Sequence, residues 1–184
     1  MENRLIVAGF GGQGVMMIGQ LLCYAAIDSG KEALFLPHYG PEQRGGTANC
    51  TVTISSEPIG SPLVKAIDAL IAMNDPSLVK FENRVKENGL IMMNSSMCKK
   101  SVTRTDVEVC AVPVDEIAEK IGSKKVANIV MLSAYAQKAG IFTEEELMKS
   151  VLGKLGKKVQ YIEMNKLAVH RGMNLTKMLN KVYM

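Results

Sequence analysis

The sequence has no tryptophan, few aromatic residues (5%) and two histidines, His38 and His170. Each scarcity removes a class of function. Nucleic-acid binding wants a dense basic stripe interleaved with aromatic platforms. The net charge is only +4, and the lysine pairs Lys99-Lys100, Lys124-Lys125 and Lys157-Lys158 are scattered, so they read as solvated surface. A metal site needs clustered ligands, and neither histidine has a cysteine, histidine or carboxylate in a recognised ligand pattern. His170 therefore reads as a surface or packing residue, and no metal is expected on this chain. The four cysteines, Cys23, Cys50, Cys98 and Cys110, form no C-x-x-C pair and no zinc or ferredoxin-like spacing. Cys23 and Cys110 sit in apolar runs and read as small core residues, so no iron–sulfur cluster is expected here. There is no G-x-S-x-G and no signal peptide, and no apolar run has membrane length. Cytoplasmic, reduced and free of membrane is the expectation.

What the chain does have begins at Leu5-Ile-Val-Ala8, a short apolar run that reads as a strand buried on both faces. It enters Gly9-Phe10-Gly11-Gly12-Gln13-Gly14, and a mostly apolar helix is expected from Val15 to Ile27, with Gly19, Cys23 and Ala26 letting it lie close on a sheet. Gly9, Gly11 and Gly14 fit G-x-G-x-x-G, which allows a tight turn and close backbone approach to an anion. The dinucleotide fingerprint also demands an acid at the end of the second strand, to hold ribose hydroxyls. That strand is placed at Ala33 to Leu36 and ends in Pro37-His38-Tyr39-Gly40 without one. No Walker lysine follows the loop either, since Val15 and Met16 come next. A stand-alone enzyme binding NAD(P) or S-adenosylmethionine is the alternative reading, and self-contained catalysis finds little support.

The least ordinary stretch runs from Pro37 to Ala48. Its prolines and glycines argue against helix or central strand, yet it carries His38, Tyr39, Glu42, Gln43 and Arg44. A connection this long in a compact domain is uncommon unless it is functional or disordered, and so many ring and planar side chains argue against disorder. Asn49 to Ser55 alternates and predicts a half-exposed, antiparallel strand toward a sheet edge. Ala66 to Met73, Leu90 to Met93 and Val107 to Val112 read as further strands, with a helix capped at Ser77 running to about Asn88 and stopped by Gly89. Helices follow at Asp115–Ile121, at Val126–Lys138 (ended by Gly140) and after Thr143-Glu144-Glu145-Glu146, a capping box. Last comes a long helix with Met164, Ala168, Arg171, Leu175, Met178 and Val182 on one face. The expected fold is α/β: one Rossmann-like domain over 1–184, its sheet mostly parallel with helices on both faces, an antiparallel edge strand and a helical C-terminal part.

Gly9-Phe-Gly-Gly-Gln-Gly14 with its apolar helix, followed by Tyr39-Gly40-Pro41-Glu42-Gln43-Arg44-Gly45-Gly46, resembles the gamma subunit of 2-oxoacid:ferredoxin oxidoreductases, nearest the 2-oxoglutarate and branched-chain types. The resemblance covers essentially the whole chain, and the second motif is the more specific. It implies a subunit, inactive alone, of a complex that oxidatively decarboxylates a 2-oxoacid, forms an acyl-CoA and reduces ferredoxin or flavodoxin. Thiamine diphosphate and Mg2+ would be held mainly by alpha and beta partners, iron–sulfur clusters by other chains such as a ferredoxin-like delta subunit. No cofactor would be tightly bound by this chain. The resemblance also implies that His38 through Gly46 lie near those partners. There, His38 and Arg44 could meet a carboxylate or phosphate of substrate or coenzyme A, or Arg44 could pair with a partner carboxylate. The partner is preferred, because nothing else in the sequence marks a small-molecule pocket.

Overall fold

The computed structural model describes residues 2–39, 46–62, 64–156 and 159–182, without the side chains of Tyr39 and 176–182. It divides into two compact units, Met1–Val112 and Pro113–Met184.

The first unit is a six-stranded sheet in the order β2-β3-β1-β4-β5-β6. Its strands are β1 (Glu2–Phe10), β2 (Glu32–Tyr39), β3 (Thr47–Ser55), β4 (Ile67–Ala72), β5 (Val85–Asn94) and β6 (Glu108–Val112). β1, β4, β5 and β6 run parallel. β3 is antiparallel to both its neighbours, β1 and β2. The antiparallel pairing thus falls at one edge of the sheet as expected, with β2 outermost and β3 next to it. Helix α1 (Val15–Asp28) lies on the face carrying Val7 and Cys50, which are paired across β1 and β3. A Cβ at Gly19 would stand 2.6 Å from Cys50 Sγ and 2.8 Å from the Phe35 ring, so only a glycine lets α1 come this close. Helix α2 (Asp75–Phe81) packs Leu78 and Phe81 against Ile6, Ala8, Leu70 and Ala72 on the opposite face. This is the expected Rossmann-like layering, helix on either side of a mostly parallel sheet.

Four local expectations change. Pro37, His38 and Tyr39 belong to β2, because an edge strand tolerates the missing N–H of proline; with Thr47 and Ala48 in β3, the connection shrinks to residues 40–46. Thr51, Thr53 and Ser55 are buried, so β3 is not the half-exposed strand its alternation predicted; its place inside the sheet explains this. The helix after β4 is capped by Asn74, whose side chain accepts from Ser77 N–H at 3.0 Å, and it gives way to a 3-10 turn at Glu82–Arg84. Gly89 lies within β5 instead of ending a helix. Asn88 beside it takes φ 59, and a Cβ on Gly89 would stand 2.9 Å from Asp68 O, so backbone crowding, not helix termination, selects that glycine.

The second unit is helical: α3 (Val114–Ile121), α4 (Ala127–Ala139), α5 (Glu144–Leu155) and α6 (Ile162–Val182). Gly140 ends α4 in the left-handed region, and Thr143 and Glu146 form the reciprocal capping box that starts α5, both as expected. The buried side of α6 is Asn165, Ala168, Val169, Gly172 and Met173; of the expected stripe Ala168 is buried, Met164 and Leu175 are half-buried and Arg171 is exposed, while the side chains of Met178 and Val182 lie outside the described residues. The small Gly172 draws the helix round, since α6 packs on α4 and the shortest side chain allows the closest approach. Among the described residues no helix is long and apolar enough to cross a membrane.

Candidate functional site

β1 delivers the chain into a turn at the carboxyl end of the sheet. Gln13 N–H donates to Phe10 O at 3.1 Å, closing that turn. Gly12 (φ 101) and Gly14 (φ 77) occupy the left-handed region that disfavours side chains, and Gly14 then caps α1 without any side-chain acceptor. Gly9 is a different case, one of close approach. A Cβ there would lie 2.7 Å from Gln13 Oε1, 2.8 Å from Val15 Cγ2 and 2.9 Å from Met73 Cβ.

Gln13 itself turns inward. Its Oε1 accepts from Phe10 N–H at 2.7 Å and from Asn74 Nδ2 at 2.8 Å, while its Nε2 donates to Met73 O at 3.1 Å. Asn74 is buried, and its place in this array is not apparent from the sequence alone. The available signal was Asn74-Asp75-Pro76, an N-cap followed by proline in the first turn.

The two sequence motifs meet. Gly11 N–H donates to Gly46 O at 3.1 Å, joining the glycine loop to the end of the 40–46 connection. At the other end of that connection His38 is exposed on β2, its Nε2 3.5 Å from Thr51 Oγ1. The expectations placed on Gly40, Pro41, Glu42, Gln43, Arg44 and Gly45 lie outside the described residues. His170, in the second unit, is exposed and pairs with Glu144 Oε1 at 2.9 Å.

A dinucleotide site would need more than this loop supplies. In the nucleotide-binding arrangement the second strand adjoins the first, so that its terminal acid reaches the ribose. Here β3 intervenes, which sets β2 two strand spacings from β1, roughly 10 Å. The absence of an acid at the end of β2 follows from this topology, because an acid there would not face a ribose held at Gly9–Gly14.

All four cysteines are buried and free. Desolvation pushes the Cys23 thiol up to about 11, Cys50 up to about 12 and Cys98 up to about 11. The unfolded thiols, with an ordinary value of 9.0, lose protons first as pH rises. Stability from these groups is therefore whole below pH 9 and is lost between pH 9 and 12. For Cys50 the slope reaches about 1.4 kcal/mol per pH unit. Urea unfolding between pH 8 and 11 should show the midpoint falling, and Cys50→Ala should flatten that fall. An equal pH slope in wild type and variant would refute it.

Residues 4–175 match the family described as pyruvate ferredoxin/flavodoxin oxidoreductase. Subunit KorC of 2-oxoglutarate synthase from Methanocaldococcus jannaschii is 34% identical over 182 residues, covering 97% of this chain and 96% of that subunit. Ketoisovalerate oxidoreductase subunit VorA from Methanothermobacter thermautotrophicus is 46% identical over 131 residues, covering 71% of this chain. The match takes in 27% of VorA, so the chain spans about a quarter of that relative's length. Among solved structures, the gamma subunit of a keto/oxoacid ferredoxin oxidoreductase from Geobacter sulfurreducens superimposes with a TM-score of 0.84 at 29% identity, over 95% of each chain. The 2-oxoglutarate:ferredoxin oxidoreductase from Magnetococcus marinus shares the fold at a TM-score of 0.87 and 23% identity, over 96% of this chain and 31% of that one. The fold, the joined Gly9–Gly14 and Gly46 motifs and a family match from residue 4 to residue 175 lead to one conclusion: the chain belongs to the pyruvate ferredoxin/flavodoxin oxidoreductase family.

Proposed function

We propose that this chain is the gamma subunit of a cytoplasmic, multisubunit 2-oxoacid:ferredoxin oxidoreductase. That complex would oxidatively decarboxylate a 2-oxoacid such as 2-oxoglutarate, form the acyl-CoA and reduce ferredoxin or flavodoxin. The observation that carries the reading is the end-to-end correspondence with KorC, a separate subunit of nearly equal extent. The match over residues 4–175 takes in both compact units and supports treating 1–184 as one family domain.

The cofactors such a complex implies do not fit the residues described here. An iron–sulfur cluster needs thiolates gathered round one point. The four thiols are buried, and three are held protonated by desolvation well above neutral pH. Among the described residues no three His, Cys, Asp or Glu side chains gather to hold a metal ion, so Mg2+ with thiamine diphosphate finds no ligand set. We assign these groups to alpha, beta and ferredoxin-like delta partners, and to this chain a scaffold whose His38–Gly46 segment meets them. Arg44 there would pair with a partner carboxylate; an anionic group of substrate or coenzyme A is the other candidate.

Purification from the native host should bring down thiamine-binding and ferredoxin-like companions, and the isolated chain should be colourless, without oxoacid oxidation and without tight binding of NAD or NADP. An iron–sulfur absorbance band abolished by Cys→Ser changes in the lone chain would overturn the proposal. So would nucleotide binding in the micromolar range by calorimetry.

A further inference from the structure

In an open α/β sheet the ligand crevice forms at the carboxyl ends of two neighbouring strands whose onward connections leave in opposite directions. Here those strands are β1 and β4. From β1 the chain passes through α1 to the β2–β3 side, and from β4 it passes through α2 toward β5. The crevice therefore lies between Gly9–Gly14 and Met73–Asn74. It is filled by the chain's own side chains. Gln13 spans it, bonded to Phe10 on the β1 side and to Met73 and Asn74 on the β4 side.

Backbone groups fix the direction of every bond in this array. Phe10 offers an N–H, so the oxygen of the Gln13 amide must face it. Met73 offers a carbonyl, so the nitrogen must face that. Ser77 offers an N–H, so Asn74 must present its oxygen to the helix and its nitrogen to Gln13. No alternative flip satisfies all three. Gly9 completes the device: its missing side chain leaves the space that the Gln13 amide occupies, 2.7 Å from where a Cβ would be.

We infer that Gln13 and Asn74 are positioning residues whose amides plug the switch-point crevice and lock the glycine loop to the end of β4, so that Gly11 can hold Gly46 and set the exit of the 40–46 connection. The glycines that resemble a nucleotide fingerprint then serve an internal amide in place of a pyrophosphate. The placement stands on these contacts alone; its consequence for assembly rests on the gamma-subunit reading.

The discriminating variant is Asn74→Asp. Aspartate caps a helix as well as asparagine does, so α2 keeps its start. The new carboxylate, however, faces Gln13 Oε1 with no proton to donate. Gln13→Met removes the amide at nearly constant volume. Amide hydrogen exchange on the full chain should show protection at Gly11 falling about tenfold or more in both variants, while Ile6 and Leu70 in the sheet keep theirs. Wild-type protection at Gly11 in either folded variant overturns the inference. If Asn74→Asp does not fold, Gln13→Met alone decides by the same criterion. Association with the alpha and beta subunits supplies the second readout. Loss of Gly11 protection with a weakened complex supports both claims; the same loss with unchanged association supports the positioning role and refutes its link to assembly.

Discussion

Gly172→Val should destabilise the chain by about 3 kcal/mol, at the upper end of what overpacking costs. The sign is not obvious in advance, since replacing an interior helical glycine by alanine ordinarily gains about 0.5–1 kcal/mol in backbone entropy. What decides is the neighbour. A Cβ on Gly172 would stand 2.5 Å from Val130 O, 2.6 Å from Ser133 Cβ and 3.0 Å from Ala134 N. Two of these are backbone atoms of α4, which cannot swing away as a side chain can, and valine adds two more methyls. Gly153 in α5 is the control: a Cβ there meets nothing within 4 Å. Gly153→Ala should raise the urea midpoint, Gly172→Ala should lower it and Gly172→Val lower it further. A Gly172→Ala protein more stable than wild type would show that α6 does not pack on α4 at this point.

The second large effect is expected in the assembled enzyme. On the gamma-subunit reading proposed above, in which Arg44 acts in the complex, Arg44→Ala should leave the melting temperature of the lone chain unchanged. Association with the partner subunits, or turnover of the reconstituted complex, should drop by well over tenfold, since truncating a buried interfacial charge typically costs about 2–5 kcal/mol. Arg44→Lys should restore only part of the loss, as one ammonium cannot reproduce a planar fork with two parallel donors. Equal association and equal turnover in Arg44→Ala and wild type would remove Arg44 from the site.

How far the fold was legible depended on whether a residue's role was local. Thr143 and Glu146 lie three apart and satisfy each other, so the capping box could be read directly. Gly140, Leu5–Ala8 and the apolar helix after Gly14 were equally plain. The strand order was not, because nothing in Asn49–Ser55 says that it inserts between β1 and β2. Its small hydroxylated residues mimic a solvent face, yet they are buried. The stripe of α6 was misplaced for a related reason: Gly172 has no hydrophobicity to count, and its packing on Val130 and Ser133 is a long-range fact. At the site, both motifs were recognisable as strings. That Gly11 and Gly46 touch, and that Gln13 finds Asn74 across the crevice, required the third dimension.

The position of β1 also bears on how the chain comes together. Residue 2 pairs with residue 55 and residue 10 with residue 47 on one side, and Leu5 to Ala8 pair with Ala69 to Ala72 on the other. β1 is thus a central strand whose two neighbours, β3 and β4, are both made after it. Non-local pairings of this kind carry their loop-closure cost before any contact rewards it, and they fold slowly. Until β3 and β4 emerge, Leu5-Ile6-Val7-Ala8 is an apolar, β-prone segment with both edges open, the sort of stretch that seeks other chains. A nascent chain stalled before Thr47 is therefore strongly exposed to aggregation, and α1, which follows β1 directly and packs on it, is local cover for that strand.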